Sequence, residues 1–144
     1  MIKFSRSYIA SSSLLFLFAC GGSTASSDGS GEAALTATLS SIQTNIFDAS
    51  CATSSCHSST SQSGGLSLAS GESFSNLVGV GANGADIMRV TASDSTQSYL
   101  INKLEGTQTH VGGSGAQMPQ GRTALTTDQI NTIKDWIDAG ALDN

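Results

Sequence analysis

Two of the three cysteines and one of the two histidines of this 144-residue chain lie in the short stretch CATSSCH. Cys51 and Cys56 are separated by four residues, and His57 follows Cys56 directly. Three kinds of chemistry are compatible with this spacing. They are a disulfide bond, a zinc or copper site, and a covalent haem attachment in which both thiols bind the porphyrin and the histidine binds its iron.

The three alternatives make different use of the same residues. A Cys51–Cys56 disulfide would close a short loop, which gains little closure entropy, and it would leave His57 without a role. A metal site would need a fourth ligand, for which His110 is available. In a haem attachment, the adjacency of Cys56 and His57 holds the imidazole at the iron. The usual haem motif has two residues between the cysteines, so two of residues 52–55 must bulge outward here.

Two residues are candidates for the second axial position on a haem iron. Met118 precedes Pro119, the only proline of the chain. Proline favours extended geometry in the residue before it, which is a way to hold a thioether on a loop. His110 is the alternative and would give a bis-histidine iron. Met88 has apolar neighbours and is expected to lie in the core instead.

The N-terminus has the features of an export signal. Lys3 and Arg6 precede an apolar run at residues 14–18. We therefore interpret residues 1–19 as a signal peptide, because its apolar part is too short for a membrane-spanning helix. The LFAC ending resembles a bacterial lipobox, which implies that Cys20 becomes the acylated first residue. The alternative is an ordinary signal peptide that leaves Cys20 as a free thiol in an oxidising compartment.

Composition divides the remainder into a tether and one domain. Residues 20–34 consist of the lipidated cysteine and a flexible segment rich in Gly and Ser, and residues 35–144 form a single small domain. The chain has a formal net charge of −5, which argues against nucleic acid as a partner.

The domain is predicted to be all-α, with three to four helices and long loops. The first helix would end just before Cys51, and its apolar face consists of Leu35, Leu39, Ile42 and Ile46. The last helix has Thr126 as N-cap, Gln129 completing a capping box, and Gly140 as its end. Its apolar stripe consists of Ile130, Ile133, Trp136 and Ile137. A shorter helix is expected in TQSYLINKLEG, with Tyr99, Leu100 and Leu104 inward, and a further turn or two in ESFSNLVG.

Long loops in a small domain are expected when they wrap a large apolar cofactor. With its helix, Cys/Cys/His motif, Met-Pro loop and C-terminal helix in this order, the chain resembles class I c-type cytochromes over about residues 38 to 141. The matching segments are CATSSCH, GGLSL, YLINKLEGT and MPQG followed by LTTDQINTIKDWIDAGA. The resemblance implies one haem c, attached through Cys51 and Cys56, with His57 and Met118 as axial ligands.

Several other residues are candidates for contact with the haem. Arg122 is either a partner for a haem propionate or a solvated cation. Apolar residues that could pack on the porphyrin are Leu66, Leu68, Tyr99 and Trp136, although a small domain would bury them in any case.

The implied function is one-electron transfer rather than catalysis, because two axial ligands leave no open iron position. The expected partners are redox proteins of the cell envelope, with the membrane contacted through the lipid anchor on the periplasmic or cell-surface side. One alternative is a non-haem lipoprotein with a Cys/His metal site or a disulfide. Another is a haem sensor or peroxidase-like protein in which Met118 leaves the iron, aided by a loop containing Gly112, Gly113 and Gly115.

Overall fold

The computed structural model describes residues 34–144 of the chain. The predictions for the signal peptide at residues 1–19, for lipidated Cys20 and for the tether up to residue 33 lie outside the described residues. The described residues belong to one compact unit.

Helices dominate this part of the chain, which confirms the helical class predicted from the sequence. The α-helices are α1 (Leu39–Ile42), α2 (Ser73–Leu77), α3 (Tyr99–Glu105) and α4 (Thr127–Asp138). Helix α1 continues directly as a π-helix, Gln43–Cys51, and single 3-10 turns lie at Ser63–Gly65, Ser95–Gln97 and Gln108–Val111. Within residues 34–144, β pairing is limited to three isolated bridges, and no helix there is long and apolar enough to cross a membrane.

The first and last helices contribute most of the core. Their fully buried apolar side chains are Ile42, Ile46 and Phe47 from the first, and Ile133, Trp136 and Ile137 from α4. The C-terminal residue also closes the start of α1, because the Leu39 amide donates to Asn144 Oδ1 at 2.9 Å and the Ser40 amide donates to the Asn144 carbonyl at 2.7 Å. The two ends of the domain therefore hold each other in place.

Helix α4 begins as the sequence predicts. The Gln129 amide donates to Thr126 Oγ1 at 3.2 Å, and the Thr126 amide donates to Gln129 Oε1 at 3.0 Å, which completes the capping box. The helix ends at Asp138, shortly before Gly140, whose φ of +110° is a conformation that a glycine adopts without strain.

One expectation about an inward-facing residue is wrong, and a second is confirmed only in part. Met88 is 44 % exposed rather than buried, because a bend at residue 89 directs Val90 into the core and leaves Met88 on the surface. In α3, the sequence predicts Tyr99, Leu100 and Leu104 inward, but the helix buries Ile101 with Leu104, while Tyr99 and Leu100 are half-buried and line a cavity. The first helix also includes Cys51 instead of ending before it.

Candidate cofactor-binding site

One largely apolar cavity of about 430 Å³ brings together most of the candidate site residues predicted from the sequence. Cys51, Cys56 and His57 line it together with Met118, which lies on a loop far along the chain. Leu66, Leu68, Tyr99 and Arg122 line it as well. Its volume lies in the range of small-molecule and cofactor sites, which are mostly apolar with a few polar groups.

The π-helix places Cys51 in the cavity wall. Its last turn shows the wide hydrogen-bond pattern, in which the Ala52 amide donates to the Phe47 carbonyl at 2.7 Å. In a regular α-helix Cys51 would lie about 140° around the axis from Ile46, since each residue advances about 100°. In the structure both side chains line the same cavity. The Cys51 thiol therefore lies on the side of the helix that carries Ile46 and Phe47, which line the same cavity.

A closed turn then brings His57 back beside Cys51. The His57 amide donates to the Cys51 carbonyl at 3.1 Å, and this hydrogen bond closes a loop that contains residues 52–56. Within the loop, the Cys56 amide donates to the Thr53 carbonyl at 2.9 Å. Ser54 and Ser55 are exposed at the tip of this turn. Of these two serines, Ser55 also lines the cavity, so only Ser54 points clear of it, and both thiols and the imidazole lie at the cavity.

The two cysteines are free thiols in different surroundings. Burial raises the pKa of the Cys51 thiol to about 11, with a further increase from the nearby Cys56 and a smaller opposing effect of Arg122. The neighbouring Thr53 and Ser55 hydroxyls lower the pKa of Cys56, Ser55 Oγ lying 3.7 Å from its sulfur, and the Arg122 cation acts in the same direction. Cys56 is therefore the more readily ionised of the pair.

The imidazole of His57 has one backbone partner, which fixes its tautomer. Its Nδ1 lies 3.2 Å from the Leu66 carbonyl oxygen, which can only accept, so Nδ1 carries the proton. The lone pair is then on Nε2. Histidines that bind metals commonly use this arrangement, in which a carbonyl holds one ring nitrogen and the other binds the ion. The Leu68 amide also donates to the His57 carbonyl at 2.7 Å, which fixes the backbone of the motif.

Helix α3 holds the loop that carries Met118. The Met118 amide donates to the Lys103 carbonyl at 2.8 Å, and Gln117 Nε2 donates to the Leu104 carbonyl at 2.7 Å. Lys103 Nζ donates to the carbonyls of Ala116 at 2.5 Å and Ser114 at 3.1 Å. The segment 114–118 is therefore held against α3 by four hydrogen bonds, and Met118 at its end lines the cavity.

The structure does not bring His110 to this cavity. His110 is exposed in the 3-10 turn Gln108–Val111 and is not among the lining residues. Within residues 34–144, no three His, Cys, Asp or Glu side chains are grouped so that they could hold a metal ion. Trp136 is also absent from the lining, because it lies in the core, where its indole N–H donates to the Leu142 carbonyl at 2.8 Å.

The charged groups of the cavity are all basic. Residues 34–144 contain nine acidic and four basic side chains, yet the cavity is lined by Arg89, Lys103 and Arg122 and by no Asp or Glu. Sequence reasoning missed Arg89. The available signal was its position between Met88 and Val90. Arginine is rarely buried unless it is paired, so an arginine between apolar residues indicates a binding partner.

No protein-family model, curated protein or solved structure matches this chain. Similarity therefore assigns no family, and the arrangement of the cavity residues is what bears on function. Two thiols and an imidazole in one closed turn, a thioether from a separate loop and apolar walls fit the requirements of a covalently bound haem.

Proposed function

We propose that this protein is a monohaem c-type cytochrome that transfers single electrons. The observation that supports the proposal is the convergence of Cys51, Cys56 and His57 with Met118 on one apolar cavity. The first three are neighbours in the sequence, but Met118 reaches the same cavity only because α3 holds its loop. The proposed fold is accordingly a cytochrome c-like arrangement of helices and long loops around the cofactor.

Each residue has a distinct role in this proposal. Cys51 and Cys56 would supply the two thioether links, and His57 would hold the iron through Nε2 while Nδ1 stays bonded to Leu66. Met118 would supply the other protein ligand to the iron. When bound, haem c supplies reversible one-electron chemistry, and histidine/methionine ligation raises its reduction potential.

Electron transfer is favoured over catalysis for a structural reason. With His57 and Met118 both bound, the chain itself fills the axial positions, so no place is left for a substrate at the iron. The fastening of the Met118 loop by Lys103 and Gln117 works against spontaneous loss of that ligand. A sensor or peroxidase-like role would require this loop to open.

We further propose that the protein acts at the bacterial cell envelope, anchored through lipid on Cys20. A tether keeps the domain near the membrane and raises its effective concentration toward partners held there. Those partners are redox proteins, and the acidic excess of the domain favours basic or mixed surfaces on them.

A comparison of two ligand variants tests the proposal. The protein is matured in a host that attaches haem, and the ferric form is examined for the weak near-infrared band of sulfur-to-iron ligation. Met118→Ala should abolish this band, lower the potential and allow cyanide or carbon monoxide to bind. His110→Ala is the matched control and should change none of these, because His110 does not line the cavity.

Two outcomes would contradict the proposal. If His110→Ala allows cyanide or carbon monoxide to bind the iron while Met118→Ala changes none of the measured properties, the iron has two histidine ligands. If the ferrous wild type binds carbon monoxide readily, Met118 does not act as a lasting ligand, and the sensor or peroxidase-like alternative replaces electron transfer.

A further inference from the structure

Arg89 is a buried cation without an acidic partner in the described part of the chain. The residue is only 9 % exposed. The single salt bridge within residues 34–144 joins Lys134 to Glu105, on the surface. Removing one charge of a buried pair is strongly destabilising because an uncompensated charge remains. A buried guanidinium with no counter-ion therefore needs an explanation.

The hydrogen bonds of Arg89 satisfy only part of its capacity. Nη1 donates to the Asn76 carbonyl at 2.8 Å and Nη2 donates to the Gly65 carbonyl at 2.9 Å. A guanidinium has five N–H donors, so further donors remain for another acceptor. Both acceptors are neutral, so they orient the group without cancelling its charge. Arginine stays protonated even though burial lowers the pKa of this guanidinium.

The surroundings of Arg89 offer no protein carboxylate. The titratable side chains that share the cavity are Cys51, Cys56, His57, Tyr99, Lys103 and Arg122. Glu72, which directly precedes α2, accepts from the Ser67 hydroxyl and does not line the cavity. Asp86 does not line it either. Lys103 is engaged with the loop carbonyls and Arg122 is exposed. Arg89 is thus the buried positive charge of an acid-free cavity.

We infer that Arg89 binds a carboxylate of the ligand that fills the cavity. Since this inference rests on the proposed function, the carboxylate is a propionate of the haem. The carbonyls of Asn76 and Gly65 hold the guanidinium in place, and its remaining N–H groups donate to the propionate. An ionised carboxylate would supply the missing counter-ion and make charge-assisted hydrogen bonds in a place of low dielectric.

The experiment measures ionisation of the propionates in the haem-loaded protein. Haem labelled with ¹³C at the propionate carboxyls is incorporated during maturation, and the carboxyl carbons are titrated by NMR. In the wild type, one propionate should stay ionised well below the ordinary carboxyl pKa of about 4.3. In Arg89→Gln that pKa should rise by about 1 to 3 units, since a nearby arginine lowers a carboxyl pKa by that amount.

A matched control separates a direct contact from general charge. Lys134→Gln also removes one positive charge, but Lys134 lies on α4 outside the cavity, so it should leave both propionate titrations in place. Arg89→Lys keeps the charge with fewer donors and should give an intermediate pKa. Arg89→Gln should also add a pH dependence of the reduction potential in the acidic range beyond that of the wild type, because a second propionate then titrates there.

The outcomes distinguish the two proposals. Two wild-type propionates that both titrate at the ordinary value would overturn the role of Arg89 and leave the haem proposal standing. Equal shifts in Arg89→Gln and Lys134→Gln would do the same. A wild type that carries no haem after maturation overturns both proposals at once, before any arginine variant is made. If Arg89→Gln fails to fold, Arg89→Lys decides the matter, because an unchanged propionate pKa in that variant would overturn the role of Arg89.

Discussion

The loop that carries Met118 is fastened by the ammonium group of Lys103, and its removal should loosen the distal ligand. Lys103→Met keeps the length and the apolar part of the side chain but removes both bonds from Nζ to the carbonyls of Ser114 and Ala116. The amide of Met118 still donates to the backbone carbonyl of residue 103. The substitution therefore tests the side-chain fastening alone.

The size of the effect follows from the two lost bonds. A hydrogen bond to a charged group contributes about 1.5 to 3 kcal/mol, and we take that range for the pair because the group is partly exposed and solvent screens it. Each 1.4 kcal/mol changes an equilibrium about tenfold. The open state of the loop should therefore become roughly 10 to 100 times more populated than in the wild type.

The assay is cyanide binding to the ferric protein, followed by its visible spectrum. If the loop must open before cyanide binds, the observed rate should rise in Lys103→Met by the same factor as the open population. Lys134→Met is the matched control, because it removes a surface salt bridge to Glu105 that contributes at most about 1 kcal/mol and lies outside the cavity. Equal cyanide rates in wild type and Lys103→Met would refute the assigned role of the lysine.

Three further predictions concern packing, thiol chemistry and the anchor. Gly113→Ala should lower the free energy of unfolding in denaturant by about 1 to 3 kcal/mol, because the added Cβ would lie 2.5 Å from the Tyr99 hydroxyl. Gly81→Ala is the control and should be nearly neutral, because its Cβ meets no atom within 4 Å. In protein produced without haem, iodoacetamide at pH 8 should alkylate Cys56 at least roughly tenfold faster than Cys51. The thiolate is the nucleophile, and at this pH only about one Cys51 thiol in a thousand is ionised. Equal alkylation rates of the two cysteines, measured by peptide mass mapping, would contradict the assigned environments. Labelled fatty acid should appear on the wild type and be lost in Cys20→Ser, and equal membrane retention of both proteins without label would indicate an ordinary signal peptide.

Local signals in the sequence predicted the ends and faces of several helices. The capping box of Thr126 and Gln129 depends only on residues three apart, and the stripe that contains Ile133 and Trp136 depends only on helical periodicity. The closed turn from Cys51 to His57 is likewise contained in one short segment. Such features can be predicted because every partner is close in the chain.

Other features depend on partners that are distant in the chain. Nothing in residues 43–51 predicts a π-helix, since the choice between α and π depends on what the last turn packs against. The burial of Arg89 depends on carbonyls of Asn76 and Gly65, which the fold alone brings together. Met88 has the hydropathy of a core residue, but a bend at the next position leaves it on the surface.

The most direct test of the central claim is the haem content of the mature protein. The protein is produced with haem-attachment machinery, extracted with acid acetone, and measured by its pyridine haemochrome spectrum. We predict one haem per chain that resists extraction, and its complete loss in the double variant Cys51→Ser with Cys56→Ser. Haem that is extracted by acid acetone, or no haem in the matured wild type, would contradict the account.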